Sequence, residues 1–105
     1  MALPIYVKKS AIHGHGLFAE RPIPRGRRIG RYGGQRTRRN GRYVLWVPLD
    51  DGNVIGIAGR NALRYVNHTR RPNAVFHGVD LFALRSIAPH EEITVDYGRD
   101  WLDVD

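Results

Sequence analysis

The chain has no cysteine among its 105 residues and no long apolar segment. The lack of cysteine excludes disulfides and cysteine-based zinc sites. No apolar run approaches the length of a membrane span, and residues 1–4 lack the charged-then-apolar arrangement of a signal peptide. We therefore expect no membrane association and, by default, a cytoplasmic location; the sequence leaves nuclear or secreted use open.

The sequence also lacks the 3.6-residue periodicity of long helices. Its length fits a single domain over residues 1–105, and an apolar content of 42% argues against disorder. Short β-prone segments follow one another closely and predict a mainly β fold. The predicted strands cover residues 5–9, 17–19, 28–32, 43–49, 54–57, 75–77, 81–85 and 93–97, with a hairpin turn at 50–53 and one helical turn at 61–65.

Acidic residues are scarce in the N-terminal part of the chain. Residues 1–43 hold eleven Lys or Arg and one Glu, a net charge of +10, whereas residues 44–105 carry −3. The Arg-rich segment 21–42 is a candidate nucleic-acid footprint. A solvated basic face explains it as well, and we favour this interpretation because no aromatic residue is interleaved among the arginines of 36–42 to stack on bases.

Two segments concentrate polar groups beside apolar ones. The first is Arg64-Tyr65-Val66-Asn67-His68-Thr69-Arg70-Arg71-Pro72-Asn73, and the second is Glu91-Glu92-Ile93-Thr94-Val95-Asp96-Tyr97-Gly98. A glycine-rich third, residues 13–19, precedes both. A chain this small has little room for clusters of buried polar groups that bind nothing, so these segments are the candidate site.

The three segments, 13–19, 64–73 and 91–98, resemble in order and spacing the signature motifs of the SET-domain protein lysine methyltransferases. The family pattern is roughly R-F-x-N-H-S-x-x-P-N followed by G-E-E-L-T-x-D-Y-G, and this chain has R-Y-V-N-H-T-R-R-P-N and H-E-E-I-T-V-D-Y-G. The resemblance implies a SET fold of several small sheets, with the last motif threaded in a pseudoknot-like manner. It also implies a minimal form without zinc-binding flanking modules.

The resemblance implies that the chain methylates a lysine in a basic protein or tail and uses S-adenosylmethionine as the methyl donor. Tyr97 is then the catalytic residue and also contacts the cofactor. A free lysine titrates near ~10.4, and burial beside a sulfonium cation lowers that pKa because both disfavour the ammonium form. Tyrosine hydroxyls would orient the neutral amine.

Further site residues follow from the same resemblance, and each has an ordinary structural alternative. Asn67 and His68 could instead be a turn cap and a core histidine, and the glycines could simply form a tight turn. His13 and His15 provide too few ligands for a metal site, so we expect none. Besides Tyr97, the cofactor-binding candidates are Gly14, His15, Gly16, Arg64, Asn67, His68 and Trp101, and the lysine-channel candidates are Tyr43, Tyr65, Phe76 and Val95.

Several departures from the family pattern bear on substrate choice. Arg31 and Gln35 stand where glutamates are usual, and His90 replaces a glycine. A basic substrate tail would require an acidic patch, which Glu91, Glu92, Asp96, Asp100, Asp103 and Asp105 could supply. We also expect a homodimer, because residues 43–49 or 101–102 could be covered by a second copy. The rival function is a small nucleic-acid-binding or protein-binding SET-like module without catalysis.

Overall fold

Over the residues 3–96 that the computed structural model describes, the chain forms ten short strands and one turn of 3₁₀ helix. The strands are β1 Ile5–Lys9, β2 His15–Ala19, β3 Arg28–Arg31, β4 Gly34–Thr37, β5 Val44–Pro48, β6 Val54–Gly59, β7 Asn67–His68, β8 Ala74–His77, β9 Asp80–Ala83 and β10 Glu92–Val95, and the 3₁₀ helix is Ala62–Tyr65. This confirms the mainly β prediction. Within this part of the chain, no helix is long and apolar enough to cross a membrane.

The first of three small sheets brings the candidate motifs together. Its strand order is β1-β2-β10-β7. Strand β10 runs antiparallel to β2, with Ile93 opposite Leu17, and parallel to β7, with Thr94 opposite Asn67. The C-terminal motif therefore lies between the N-terminal and central motifs, as a threaded arrangement requires.

The other two sheets are antiparallel and have the orders β3-β9-β8 and β4-β6-β5. The β5–β6 connection is the predicted hairpin turn. The Leu49 N–H donates to the Asn53 carbonyl at 2.7 Å, and Gly52 adopts a φ of 87°, a conformation that a side chain would disfavour. A single core unites the sheets, since Leu17, Leu45 and Leu81 come from different sheets and are almost completely buried.

Asn73 is a buried polar residue that fixes the position of β10. Its Nδ2 donates to the Glu92 carbonyl at 2.8 Å, and its Oδ1 accepts from the Thr94 N–H at 2.9 Å. The side chain is only 2% exposed, so losing either bond would leave a buried group unsatisfied. Asn73 directly precedes β8, which belongs to a different sheet from β10, so its amide links β10 to that neighbouring sheet.

The predicted strand boundaries were largely confirmed, with two strands missed. Strand β4 falls partly in the segment interpreted as an arginine-rich loop, and β7 falls in a segment for which no strand was predicted. Two residues that depart from the family pattern have local partners: Arg31 Nε lies 3.3 Å from Asp80 Oδ1, and Gln35 Oε1 accepts from Arg60 at 2.9 Å. The predicted strand 93–97 ends at Val95, and Tyr97 and Trp101 lie outside the described residues.

Candidate active site

A cleft of about 590 Å³ lies between the turn at residues 10–16, here called the glycine turn, and the central motif, residues 64–73. Pockets for small molecules typically occupy about 300–1,000 Å³, so its size suits a ligand. We call it the central cleft. It is lined by Ile12, His13, Gly14, His15, Arg42, Tyr43, Arg64, Tyr65, Val66, Asn67 and His68.

The Asn67 side chain ties the two walls of the central cleft together. Its Nδ2 is 3.1 Å from the carbonyl oxygens of both His13 and His15. The same nitrogen donates to Glu92 Oε2 at 2.8 Å. Asn67 is 7% exposed, and these contacts brace the glycine turn against β7.

Glu92 joins this arrangement to the N-terminal segment. Its two carboxylate oxygens accept from the Ser10 hydroxyl at 2.8 and 2.9 Å. The Ser10 oxygen in turn accepts from the Ile12 N–H at 2.9 Å. One carboxylate therefore anchors both ends of the turn that forms a wall of the central cleft.

Gly16 lies directly against the Glu92 side chain. A Cβ at this position would overlap the Glu92 carboxylate and lie 3.1 Å from Ser10 Cβ, so a larger residue would displace that carboxylate. The contact of Gly16 with the cofactor stays a prediction. Gly14, by contrast, has a φ of 46° and no atom near its Cβ direction, so its backbone conformation explains the residue.

Two tyrosines and an arginine form an aromatic wall of the central cleft. The rings of Tyr43 and Tyr65 meet edge to face at 5.7 Å, and the Arg64 guanidinium lies 4.3 Å from the Tyr65 ring centroid. Arg64 also donates to the Tyr65 hydroxyl at 2.7 Å and to the Asn61 carbonyl at 2.9 Å. It forms no ion pair with any residue in 3–96, so its charge is available to an anionic ligand.

The remaining predicted channel residues lie in the core and do not line the central cleft. Phe76 packs edge-on against Tyr32 at 5.8 Å, and Tyr32 donates to the Tyr43 carbonyl. Val95 is completely buried in β10. Phe76 thus supports the aromatic wall from behind, through Tyr32, and the channel roles of Phe76 and Val95 stay predictions.

Of the predicted site residues, the fold brings Gly14, His15, Asn67 and His68 together around the central cleft, with Arg64, Tyr43 and Tyr65 on its aromatic side. His68 Nδ1 lies 3.7 Å from Asp96 Oδ1. Ser10 and the lining residues Ile12, His13, Arg42 and Val66 were missed. The four lining residues lie within or directly beside the predicted segments or Tyr43, whereas nothing in the sequence around Ser10 pointed to its bond with Glu92. In residues 3–96, no three His, Cys, Asp or Glu side chains are placed to hold a metal ion.

Within the described residues, the two glutamates of the expected acidic patch are committed to internal contacts. Glu92 bonds to Asn67 and Ser10, as described above. Burial alone would raise the pKa of Glu91, but hydrogen bonds from the Ala88 N–H, Arg85 and Asn73 outweigh it and lower that pKa. Arg85 lies 2.8 Å from the Glu91 carboxylate. Asp100, Asp103 and Asp105 lie outside the described residues.

Comparison with known proteins assigns the family. The sequence model of the SET domain matches residues 14–98. Two curated relatives are "Histone-lysine N-methyltransferase, H3 lysine-4 specific" of Chaetomium globosum, 31% identical over 90% of this chain, and "Histone-lysine N-methyltransferase 2B" of Homo sapiens, 34% identical over 87%. The chain belongs to the SET-domain family.

A solved structure supports the fold in three dimensions. A chain of "ctPRC2 in an autoinhibited conformation bound to S-adenosylmethionine" superposes with a TM-score of 0.79 over 95% of this chain and 16% of that chain, at 23% identity. The present chain spans only 11% and 4% of the lengths of the two curated relatives. It therefore corresponds to one part of those proteins.

Proposed function

We propose that the chain is a protein-lysine N-methyltransferase that uses S-adenosylmethionine. The observation that carries this proposal is the meeting of the glycine turn and the Asn67-His68 segment around one cleft, in a chain of the SET family. The relatives named above are histone-lysine N-methyltransferases, which supports the same reaction class here.

The residues of the central cleft fit the proposed cofactor chemically. S-Adenosylmethionine carries a carboxylate, an ammonium, an adenine and a sulfonium that donates its methyl group. Arg64 offers a guanidinium with no ion-pair partner in the described chain, which suits the carboxylate. The Asn67 side chain and nearby backbone groups would hold the ammonium, and the backbone at His68 would meet the adenine edge. The Tyr43 and Tyr65 rings suit a cation, because aromatic faces attract positive charge.

The chain's own residues would prepare the substrate lysine. The rings of Tyr43 and Tyr65 would exclude water from the amine, and burial lowers a lysine pKa because it disfavours the ammonium form. Tyr97 is proposed to orient the neutral lone pair through its hydroxyl. Asn67, through its bonds to the His13 and His15 carbonyls, would keep the glycine turn in place throughout.

The substrate is proposed to be a protein, with a histone-type basic tail as the first candidate because of the relatives' names. The described residues that line the central cleft include arginine but no carboxylate. Any acidic contact to such a tail would therefore come from elsewhere on the chain or from a second copy. A chromatin substrate would favour a nuclear or nucleoid location over a purely cytoplasmic one.

Calorimetric titration with S-adenosylmethionine, followed by transfer of labelled methyl to a mixture of basic proteins, tests the proposal. We expect saturable binding and label on lysine. A folded chain that binds no cofactor at millimolar concentration would overturn it.

A further inference from the structure

Four arginines on β4 and the loop after it form an exposed cationic surface. They are Arg36, Arg38, Arg39 and Arg42, and all are exposed. We call residues 36–42 the arginine loop. None of its guanidinium groups bonds to another residue within 3–96, whereas Arg28, Arg31 and Arg85 elsewhere pair with carboxylates. No acidic residue occurs between Glu20 and Asp50 in the sequence.

The fold brings aromatic rings to this surface, although none is interleaved among its arginines in the sequence. The Trp46 indole Nε1 donates to Asn40 Oδ1 at 3.1 Å, so the half-buried ring lies against the middle of the arginine loop. Tyr43 follows Arg42 directly and is 37% exposed. The solvated-face interpretation depended on the lack of aromatic residues among these arginines in the sequence. In the fold, however, Trp46 and Tyr43 lie beside them.

The arginine loop is shaped by its own hydrogen bonds. Thr37 Oγ1 accepts from the Arg39 N–H at 3.0 Å, and Asn40 Oδ1 accepts from the Gly41 N–H at 2.9 Å. At its base, β4 pairs with β6 from Gly34 to Thr37. The arginine loop is thus anchored at one end by a strand paired with β6 and ordered by its own bonds, which reduces the entropy lost when a ligand binds.

We propose that the arginine loop, together with Trp46 and Tyr43, binds single-stranded nucleic acid. Guanidinium groups match phosphate oxygens in planar, bidentate geometry. Aromatic rings beside a cationic track stack on unpaired bases irrespective of sequence. An acidic peptide would satisfy the arginines but would leave the rings without planar partners, so the combination favours nucleic acid. DNA and RNA share this chemistry.

Fluorescence anisotropy of the complete chain with labelled oligo-dT and oligo-rU, each of about 15 nucleotides, tests the proposal. Four phosphate contacts predict a log–log salt slope near −3, since each contributes about −0.7 on a single strand. Arg42 and Tyr43 also line the central cleft, so the titration is done without the cofactor. The readout then needs neither cofactor nor catalysis, and its result is independent of the proposed methyl transfer.

A matched pair of charge reversals localises the contact. R38E/R39E should weaken oligonucleotide binding at least about tenfold and reduce the salt slope by about 1.4, the share of two contacts. R70E/R71E changes the net charge equally, at two exposed arginines outside the arginine loop, and should cost less than about threefold. Trp46→Leu should lose about fivefold or more through stacking. Circular dichroism establishes that each variant is folded.

Three results would overturn the proposal. The first is a folded parent chain that binds neither oligonucleotide at about 50 mM salt. The second is an equal loss in R38E/R39E and R70E/R71E, which would reduce the effect to overall charge. The third is displacement of the oligonucleotide by an equimolar glutamate-rich peptide of the same charge, which would identify an acidic protein as the partner.

Discussion

Asn67 and Glu92 are 25 residues apart in sequence, and their side chains are joined by a 2.8 Å hydrogen bond. Asn67 lies on β7 and Glu92 on β10, two strands that pair in parallel. Through Ser10 and the carbonyls of His13 and His15, this bond sets the position of the glycine turn. The central cleft therefore depends on a residue that does not line it.

Glu92→Gln should weaken cofactor binding and also lower stability. The variant keeps the size of the side chain, but one accepting oxygen becomes an amide nitrogen that can only donate, so the bonds from Ser10 and Asn67 to both oxygens cannot all be kept. We expect a loss of about 1–2 kcal/mol in the free energy of unfolding, typical of a broken part-buried hydrogen bond, and weaker calorimetric binding of S-adenosylmethionine. Glu20→Gln is the matched control, because Glu20 is exposed. Equal behaviour of the two variants would contradict the bracing role.

Tyr97→Phe should reduce methyl transfer by about 10²-fold or more, roughly 3 kcal/mol of transition-state stabilisation. The change removes one hydroxyl, so cofactor affinity should be nearly unchanged. Single-turnover transfer of labelled methyl, with titration of the cofactor in parallel, separates the two effects. Activity within a few-fold of the parent would remove the hydroxyl from the mechanism.

Glu91→Gln should change how stability depends on pH. The folded-state pKa of Glu91 is lowered. The ionised Glu91 carboxylate therefore adds to the parent's free energy of unfolding at pH values above the unfolded pKa of about 4.3. That stability is lost as the pH falls through the lower folded value. Urea unfolding from pH 7 to pH 3 should show a flatter curve for Glu91→Gln, with lower stability at neutral pH. Curves parallel to those of the parent would count against the ion pair with Arg85.

His90 offers a test of backbone conformation. It has a φ of 66°, in the region that glycine adopts most readily, and its Nδ1 is 2.9 Å from the Tyr6 hydroxyl. His90→Gly and His90→Ala both lose this bond, so their difference isolates the backbone. The glycine variant should be more stable than the alanine variant by about 1–2 kcal/mol. Thermal unfolding of the pair measures it, and equal stability would contradict the left-handed assignment.

The predicted homodimer is tested by light scattering over a dilution series. Leu49 and Val54 beside the hairpin turn are 39% and 48% exposed, and they form an apolar edge that a second copy could cover. Leu49→Asp should then shift the mass toward a monomer. A monomer mass for the parent chain at every concentration would rule out the homodimer.

Strands that a short-range sequence pattern specifies were predictable, whereas strands that exist only through pairing with a distant segment were not. Hairpins with apolar alternation and a glycine or aspartate turn, such as residues 44–59, were predictable because short-range chemistry specifies them. Strand β4 was not, because Gln35, Arg36 and Thr37 have no apolar alternation and become a strand by pairing with β6. The two-residue strand β7 likewise exists only because β10 pairs with it.

In the candidate site, too, local motifs identified some residues, whereas contacts that depend on tertiary packing were not predictable. The motifs identified Asn67, but its bonds to the His13 and His15 carbonyls depend on tertiary packing that spacing cannot supply. Phe76 and Val95 were ambiguous between the channel and the core because an apolar residue serves either role. Trp46 was not associated with the arginines, since the approach of its ring to Asn40 depends on how the β4–β5 connection passes across β6 in the sheet.

The insertion of β10 between β2 and β7 constrains how the molecule is made. Its partners on either side, Leu17 and Asn67, come from distant parts of the chain. Contacts of such long sequence separation carry a large loop-closure cost, so folding is slow compared with that of helical proteins. A chain still emerging from the ribosome lacks the Glu92 bonds to Asn67 and Ser10 until residue 92 is free. A fragment that ends before β10 would therefore keep every residue that lines the central cleft but lose the carboxylate that ties them together.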